Sequence, residues 1–359
     1  MKAWKRKEWI RFGILNGILL CLSIVCGLLS GYLGGRLQAQ RAAERWQGEG
    51  EMGFCQVSCY LPVDEKLELN EIYRFRYAIL DKLKEAAPDS DPTQTLFVDA
   101  WSGTGKLNVA SDHGKGEAAA IAVGGSFFQF HPLRLLSGSY LTEADLMKDR
   151  VLLDEDLAWL LYGGTELEGM ELKVNGIPFQ VGGVVRREED SFSRRAYTAG
   201  QGLYLSWDAW KTLNENAGIS CYELCLSEPV DGFTVNFVRE KFPIGQGEIV
   251  ENTGRFGFFR LLGLVGQFGK RSMQTLGVVY PYWENAARSA EDWGALLALF
   301  TVLLGLCPLI SAGILLVRGF KRGKEKFSED LWPRWRDAME EAIRKQQRKA
   351  WEKRHPGEV

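Results

Sequence analysis

The sequence predicts an α+β chain in which two membrane-spanning helices flank a large domain built on a split βαβ sheet, with a β-rich segment inserted into it. Three observations carry this expectation. Two uncharged apolar stretches, 12–35 and 293–317, bracket the chain. Two strand-helix-strand patterns stand far apart, near 54–101 and 220–251. Between them, alternating apolar runs replace helical periodicity.

Each apolar stretch is long enough, at about 1.5 Å rise per residue, to cross a hydrocarbon core of roughly 30 Å as a helix. The first outruns the roughly 7–15 apolar residues of a cleavable signal, so an uncleaved anchor is expected. Lys2, Lys5, Arg6, Lys7 and Arg11 precede it against the single acid Glu8, and Arg318, Lys321, Arg322, Lys324 and Lys326 follow the second against Glu325. By the positive-inside rule both termini, 1–11 and 318–359, are expected in the cytoplasm and 36–292 outside. With the chain at net charge -2 and the cytoplasmic parts summing to +9, the outer domain carries -11. An acidic domain repels nucleic acid and anionic lipid, so neither is expected as its ligand. Trp4 and Trp9 fall at the inner boundary, and Tyr280, Tyr282, Trp283 and Trp293 near the outer one, as in aromatic belts. Tyr280 and Tyr282 fit a domain core equally well.

In the outer domain, 37–47 has helix-friendly spacing and reads as a stalk continuing the first span. Residues 54–61 alternate as a strand, 70–87 carry a helical stripe of Ile72, Phe75, Ala78, Ile79 and Leu83, and 95–101 form the next strand. Downstream, 220–226, 232–242 and 247–251 repeat the strand-helix-strand order, and Cys221-Tyr-Glu-Leu-Cys225 echoes Cys55-Gln-Val-Ser-Cys59. Two such units build a split, ferredoxin-like sheet. The segment 118–204 between them is the insertion, and its Asn175-Gly176 between alternating runs signals a hairpin. Residues 254–282 are apolar but broken by Arg260, Lys270 and Arg271, which argues against a third span; the segment 254–292 reads as membrane-proximal, an amphipathic helix or partner surface, with an ordinary core helix as the alternative. Glu284 and Arg288 can pair at i, i+4 on the helix leading into the second span.

Chemistry finds little to use. Gly103-Thr-Gly-Lys106 lacks the earlier glycine and the following Ser or Thr of a phosphate loop. His113, His131 and His355 stand in no metal-ligand or base-nucleophile spacing, and Asp154, Glu155 and Asp156 suit the start of a helix. No cofactor, metal or catalytic residue is therefore expected. Were the strands at Cys55/Cys59 and Cys221/Cys225 a parallel central pair, Cys55 would face Cys221 and Cys59 would face Cys225. Buried thiols and one or two disulfides both stay open, the thiols favoured because parallel neighbours seldom reach disulfide geometry. Gly13 and Gly17, then Ser23, Gly27, Gly31 and Gly35, place small residues along one face of the first span, suited to close helix packing within the chain or with another chain.

The runs Gly124-Gly-Ser-Phe-Phe, His131-Pro-Leu-Arg-Leu-Leu-Ser-Gly-Ser-Tyr-Leu-Thr, Asp149-Arg-Val-Leu-Leu-Asp-Glu-Asp-Leu-Ala-Trp-Leu-Leu-Tyr-Gly-Gly and Glu168-Gly-Met-Glu-Leu-Lys-Val-Asn-Gly succeed one another in a characteristic order. This order resembles the periplasmic core domain of the MacB-like ABC-transporter permeases, a family that includes FtsX and the LolC/LolE lipoprotein exporters. The resemblance implies a non-catalytic domain that transmits motion driven by a separate cytoplasmic ATPase to an envelope substrate or partner. It also implies four spans, and with two here a second permease chain is expected to supply the others. On the tail, Trp335, Met339 and Ile343 recur at helical spacing and could dock on a cytoplasmic partner or lie on the inner membrane surface. The rival expectation is an extracytoplasmic sensor or adaptor signalling through this tail.

Overall fold

The computed structural model describes residues 6–48, 53–62, 64–65, 67–86, 96–197, 202–214, 217–327 and 332–354. Two units divide the chain: Gly27–Leu299, and the helical segments up to Cys26 and from Phe300 onward. The first apolar stretch lies within one unbroken helix, α1 (Arg6–Gly35). The expected stalk does not continue it. Beyond Gly35 the chain makes a 3-10 turn at Gln38–Arg41 and becomes the short helix α2 (Ala42–Gln47), laid on the sheet. A buried amide holds it there. Gln56, in strand β1 (Phe54–Tyr60), accepts from the Ala42 N–H at 2.8 Å and donates to the Ala39 carbonyl at 2.7 Å. Ala39, Ala42 and Ala43 are small enough to bury against the strands.

Helix α3 (Leu69–Ala86) follows the expected stripe, burying Ile72, Phe75, Ile79 and Leu83; the expected last residue, Ala87, lies outside the described residues. Strand β2 (Phe97–Ala110) differs from expectation by running through Gly103-Thr-Gly-Lys106, a composition that reads as loop. Its expected start, Thr95, lies outside the described residues. The glycines are needed for packing, because a Cβ on Gly103 would lie 2.9 Å from the Trp207 ring and one on Gly105 2.5 Å from Trp210. Next come β3 (Lys115–Gly125), α4 (Phe127–Phe130), β4 (Arg134–Gly138), β5 (Arg150–Asp154), α5 (Glu155–Tyr162), β6 (Glu171–Val174), β7 (Ile177–Arg186), α6 (Ser191–Ala196), β8 (Gly202–Ser206) and α7 (Trp207–Leu213). Asn175 and Gly176, with φ of 49° and 84°, make the two-residue hairpin between β6 and β7. Asp154 caps α5 by accepting from the Leu157 N–H at 2.7 Å. The chain closes the domain with β9 (Cys221–Ser227), α8 (Phe233–Lys241), β10 (Glu248–Glu251) and α9 (Phe258–Gly263).

All ten described strands join one sheet, ordered β10-β1-β9-β2-β3-β8-β5-β7-β4, with β6 pairing β2 and β7. Neighbours among the first four are antiparallel, whereas β3–β8 and β5–β7 are parallel. The inserted strands thus extend the sheet begun by β1 and β2. Helices α3, α5, α7 and α8 cover one face, and α2, α4 and the residues around Trp283 cover the other.

The register corrects the expected cysteine arrangement. β1 and β9 are antiparallel, with Cys55 opposite Leu226, Cys59 opposite Tyr222, Gln56 opposite Cys225 and Tyr60 opposite Cys221. Opposite residues share a face, so Cys55 and Cys59 point into one core and Cys221 and Cys225 into the other. Neither pairing can form across these strands, and all four sulfurs are buried free thiols.

Two further helices complete the described chain, α10 (Tyr282–Lys326) and α11 (Trp332–Arg354). Helices α1 and α10 are the two among the described residues that are long and apolar enough to cross a membrane. The aromatic belt needs correction, since Tyr280 and Trp283 are buried in the domain core while Trp293 is exposed; Trp4 lies outside the described residues. The small-residue face of α1 makes contact at some positions and is open at others. In the helical unit, Ser23 Oγ donates to the Thr301 carbonyl at 2.8 Å, and Gly305 lies where a Cβ would be 3.0 Å from that hydroxyl. In the other unit, Ser30 Oγ donates to the Gly294 carbonyl at 3.0 Å. Gly27 is half-buried; Gly31 has open space beside it, and Gly35 meets only Arg41 at 3.9 Å.

Candidate functional site

The turns of α10 that precede its apolar run place Glu284, Arg288 and Glu291 on one face by i, i+4, i+7 spacing. That face meets Arg255, from the loop after β10, and all four side chains are buried. The Arg255 guanidinium is bidentate to Glu284 (2.6 and 2.8 Å) and to Glu291 (2.7 and 3.1 Å), and donates to Asn252 Oδ1 at 3.1 Å. Arg288 bonds Glu284 at 2.6 Å and Glu248 of β10 at 2.8 Å, with its guanidinium 3.8 Å from the centre of the Tyr280 ring. Arg271 bonds Glu291 at 2.7 Å. Three arginines thus meet three glutamates with no charge left over, and every oxygen of Glu284 and Glu291 is engaged.

This compensation sets the protonation states. Burial alone would lift Glu284, but Arg255 and then Arg288 outweigh it and hold the carboxyl below its usual range. Burial likewise opposes the Arg255 charge, and Glu284 and Glu291 reverse that and hold it firmly protonated. Tyr60, fully buried, donates to Glu284 Oε2 at 3.1 Å, and its own ionisation is pushed up first by burial and next by that carboxylate.

From Arg255 the polar chain continues across the sheet. Asn252 Nδ2 donates to Ser58 Oγ at 2.8 Å, Ser58 Oγ donates to Glu223 Oε1 at 3.2 Å, and Glu223 pairs with His131. The His131 ring packs between Phe127 and Trp283, with centroids 4.4 and 4.3 Å away. Because Trp283 belongs to α10, the chain of contacts returns to the helix where it started. The opposite side of α10 is alanine: Ala286, Ala287 and Ala290 pack against Leu37 of the turn after α1 and Phe192 and Ala196 of α6. The turns of α10 that precede its apolar run are therefore gripped on both sides. Polar bonds hold one and close-packed methyls the other.

The i, i+4 pair that the sequence offers at Glu284 and Arg288, on the helix leading into the second apolar run, is formed, and both side chains are buried. Arg255, Asn252, Ser58 and Glu223 escaped notice. The available signals were an arginine opening an apolar, acid-free stretch, and Gln56, Ser58 and Glu223 standing inside strands otherwise made largely of apolar residues and cysteines. His131 finds an acid, Glu223, from a distant strand, while His113 is exposed and His355 lies outside the described residues. Among the described residues no group of three or more His, Cys, Asp or Glu is arranged to hold a metal. Burial pushes the Cys55 and Cys225 thiols up to about 12 and those of Cys59 and Cys221 higher still, so none is a ready nucleophile. Trp335, Met339 and Ile343 lie on α11, all exposed.

Residues 67–235 match the family model of the MacB-like periplasmic core domain. No curated protein matches the chain. Among the solved structures similar to it are the following three. The extracellular domain of the noncanonic ABC-type transporter YknZ from Gram-positive bacteria shares 15% identity over 53% of this chain and 92% of that one, with a TM-score of 0.37. The periplasmic region of MacB from Actinobacillus actinomycetemcomitans shares 15% identity over 55% and 89%, with a TM-score of 0.36. A domain of a putative permease protein from Porphyromonas gingivalis shares 14% over 55% and 88%, with a TM-score of 0.32. Between two helices long and apolar enough to cross a membrane, residues 67–235 are thus similar to the MacB-like periplasmic core domain.

Proposed function

We propose that this chain is a two-span, non-catalytic membrane subunit of an ABC-type transport assembly, which couples a separate cytoplasmic ATPase to the movement of its outer domain. The Arg255 cluster is the observation that carries this reading. It joins the last turns of α10 before its apolar run to β10 and β1, so a shift of α10 along its axis must drag the sheet edge or break several buried ion pairs. The strand order β10-β1-β9-β2, with α3 and α8 on one face, supports a split βαβ core as the part that is moved. The basic flanks of the two spans favour cytoplasmic termini and an extracytoplasmic domain.

The ATPase and a second permease chain are partners in this proposal, and α11 is the contact to the ATPase because Trp335, Met339 and Ile343 form an exposed stripe at i, i+4 spacing. Affinity purification of the full chain from membranes tests it. Replacing the three stripe residues with Ser should lose an ATP-hydrolysing partner without loss of membrane insertion, whereas Arg255→Met should keep the partner and lose the coupled response. Equal recovery of the partner with native and altered tails would remove α11 from the mechanism.

A further inference from the structure

Residues 254–281, between the end of β10 and α10, contain Arg255, Arg260, Lys270 and Arg271 and not one Asp or Glu. In an otherwise acidic domain this stretch is the exception. It is also where the domain exposes apolar bulk. Among the described residues of 36–299, three large apolar side chains are more than four-fifths exposed, and two of them, Phe259 at 85% and Leu276 at 85%, lie here. Phe268, Met273 and Val279 are exposed beside them.

The segment has a fixed height on both helices. Phe256 lies against Gly34, the last turn of α1 before Arg36, so closely that a Cβ there would come within 2.2 Å of its ring. Leu261 is buried against Gly294, and the Phe268 ring meets Trp293 edge-on at 6.2 Å. The Asp292 carboxylate accepts from the Gly269 N–H at 3.0 Å. Gly34 and Trp293 are the points where charge stops and the apolar runs begin, on α1 and α10 respectively. The structure thus pins an acid-free, basic, apolar-tipped segment to the boundary of both candidate spans.

We infer that 254–281 is a collar that dips into the outer leaflet of the bilayer around α1 and α10, with Phe259 and Leu276 in the acyl region and Arg260 and Lys270 at the level of the lipid phosphates. Lipid is the occupant that fits. The segment is held against the turns where both apolar runs begin; Lys270 and Arg260, the two cations outside the glutamate cluster, the latter also pairing with Glu251 at 3.2 Å, complement lipid phosphates; and a membrane-facing site accounts for two bulky side chains that would otherwise stand in water. This inference rests on the reading of α1 and α10 as membrane spans, which the experiment tests separately.

The full chain, with Cys21, Cys26 and Cys307 changed to Ala and the four buried thiols kept, is placed in nanodiscs of phosphatidylethanolamine and phosphatidylglycerol. Nitroxide labels are attached singly at Phe259→Cys, Leu276→Cys, Leu146→Cys and Ile310→Cys. Collision with oxygen, which concentrates in lipid, is compared with collision with a water-soluble nickel chelate. The inference expects the labels at 259 and 276 to follow Ile310, a lipid-facing position of α10, with an oxygen-to-nickel ratio severalfold above that at Leu146, which is 96% exposed. Labels at 259 and 276 that behave like Leu146 while Ile310 is lipid-like would overturn the collar and leave the spans standing. A water-like Ile310 would remove the spans and the collar together. Shielding of 259 and 276 from both reagents would mean that protein covers them, and would overturn lipid as the occupant.

Discussion

Replacing Arg255 with Met removes the one cation shared by Glu284 and Glu291 while keeping most of the side-chain volume. Removal of one partner from a buried pair costs about 3–5 kcal/mol, because the carboxylate left behind remains desolvated. Here the lower end applies, since Glu284 keeps Arg288 at 2.6 Å and Glu291 keeps Arg271 at 2.7 Å. A loss of about 3 kcal/mol is a change on the order of 100-fold in the unfolding equilibrium. Denaturant titration of the full chain in nanodiscs, followed by tryptophan fluorescence, measures it. Acid supplies a second reading. The Glu284 pKa is depressed in the folded chain, so its stabilisation is complete above the ordinary value of 4.5 and disappears as pH falls through the lower folded value. In Arg255→Met burial dominates Glu284 and lifts its folded value above the ordinary one, so the Glu284 contribution reverses sign: the variant's deficit is largest at neutral pH and narrows as acid protonates the stranded carboxylate, whereas the native chain loses that stabilisation in acid. Arg260→Met is the control. Its pair with Glu251, at 3.2 Å, is substantially exposed on both sides and should cost less than about 1 kcal/mol. If Arg255→Met cost no more than Arg260→Met and left the acid profile unmoved, the cluster would not be what holds α10 to the sheet.

Three other outcomes are expected. Labelling of single cysteines placed at Ser111 and near the C-terminus in intact cells should report opposite sides of the membrane, and the same side for both would end the proposed topology. In a chain with Cys21, Cys26 and Cys307 changed to Ala, Cys55, Cys59, Cys221 and Cys225 should resist a thiol reagent at pH 8 when folded and react on unfolding, since burial holds all four far above that pH; fast reaction of that folded chain would contradict the buried register. Gly138→Ala should destabilise the domain by more than about 1 kcal/mol, because φ is 72° and a Cβ would lie 2.2 Å from the Gly182 carbonyl oxygen. A thermal midpoint equal to that of the native chain would show that β4 can shift to accommodate it.

Elements with a strong local signature were legible in the sequence. The apolar runs of α1 and α10, the stripe of α3, the Asn175-Gly176 hairpin and the capped start of α5 all depend on neighbours within a few residues. What escaped depends on distant partners. Gly103 and Gly105 look like loop until Trp207 and Trp210, about a hundred residues on, are seen to need the space above them. The turn after α1 is set by Gln56, whose amide replaces the bonds that a continued helix would have supplied. The facing of the cysteines turned on strand direction, which no local pattern encodes, and reversing it moved each pair to a separate core. Arg255 was the hardest to find, because a lone arginine in an apolar stretch gains meaning only from Glu284 and Glu291 on another element.

The place of β1 in the sheet has a consequence for how the chain is made. It is the first strand to be synthesised, yet both its neighbours, β9 and β10, come from beyond residue 220. Between Tyr60 and Cys221 lie about 160 residues, which a ribosome adds in roughly ten to thirty seconds. For that interval β1 stands with two open edges and an apolar face, a template on which another nascent chain could pair. The edge is closed for good only when Glu248–Glu251 arrives, about thirty residues ahead of α10. Completion of the sheet thus waits on the last of its ten described strands, and chains stalled before it arrives are the ones most exposed to aggregation.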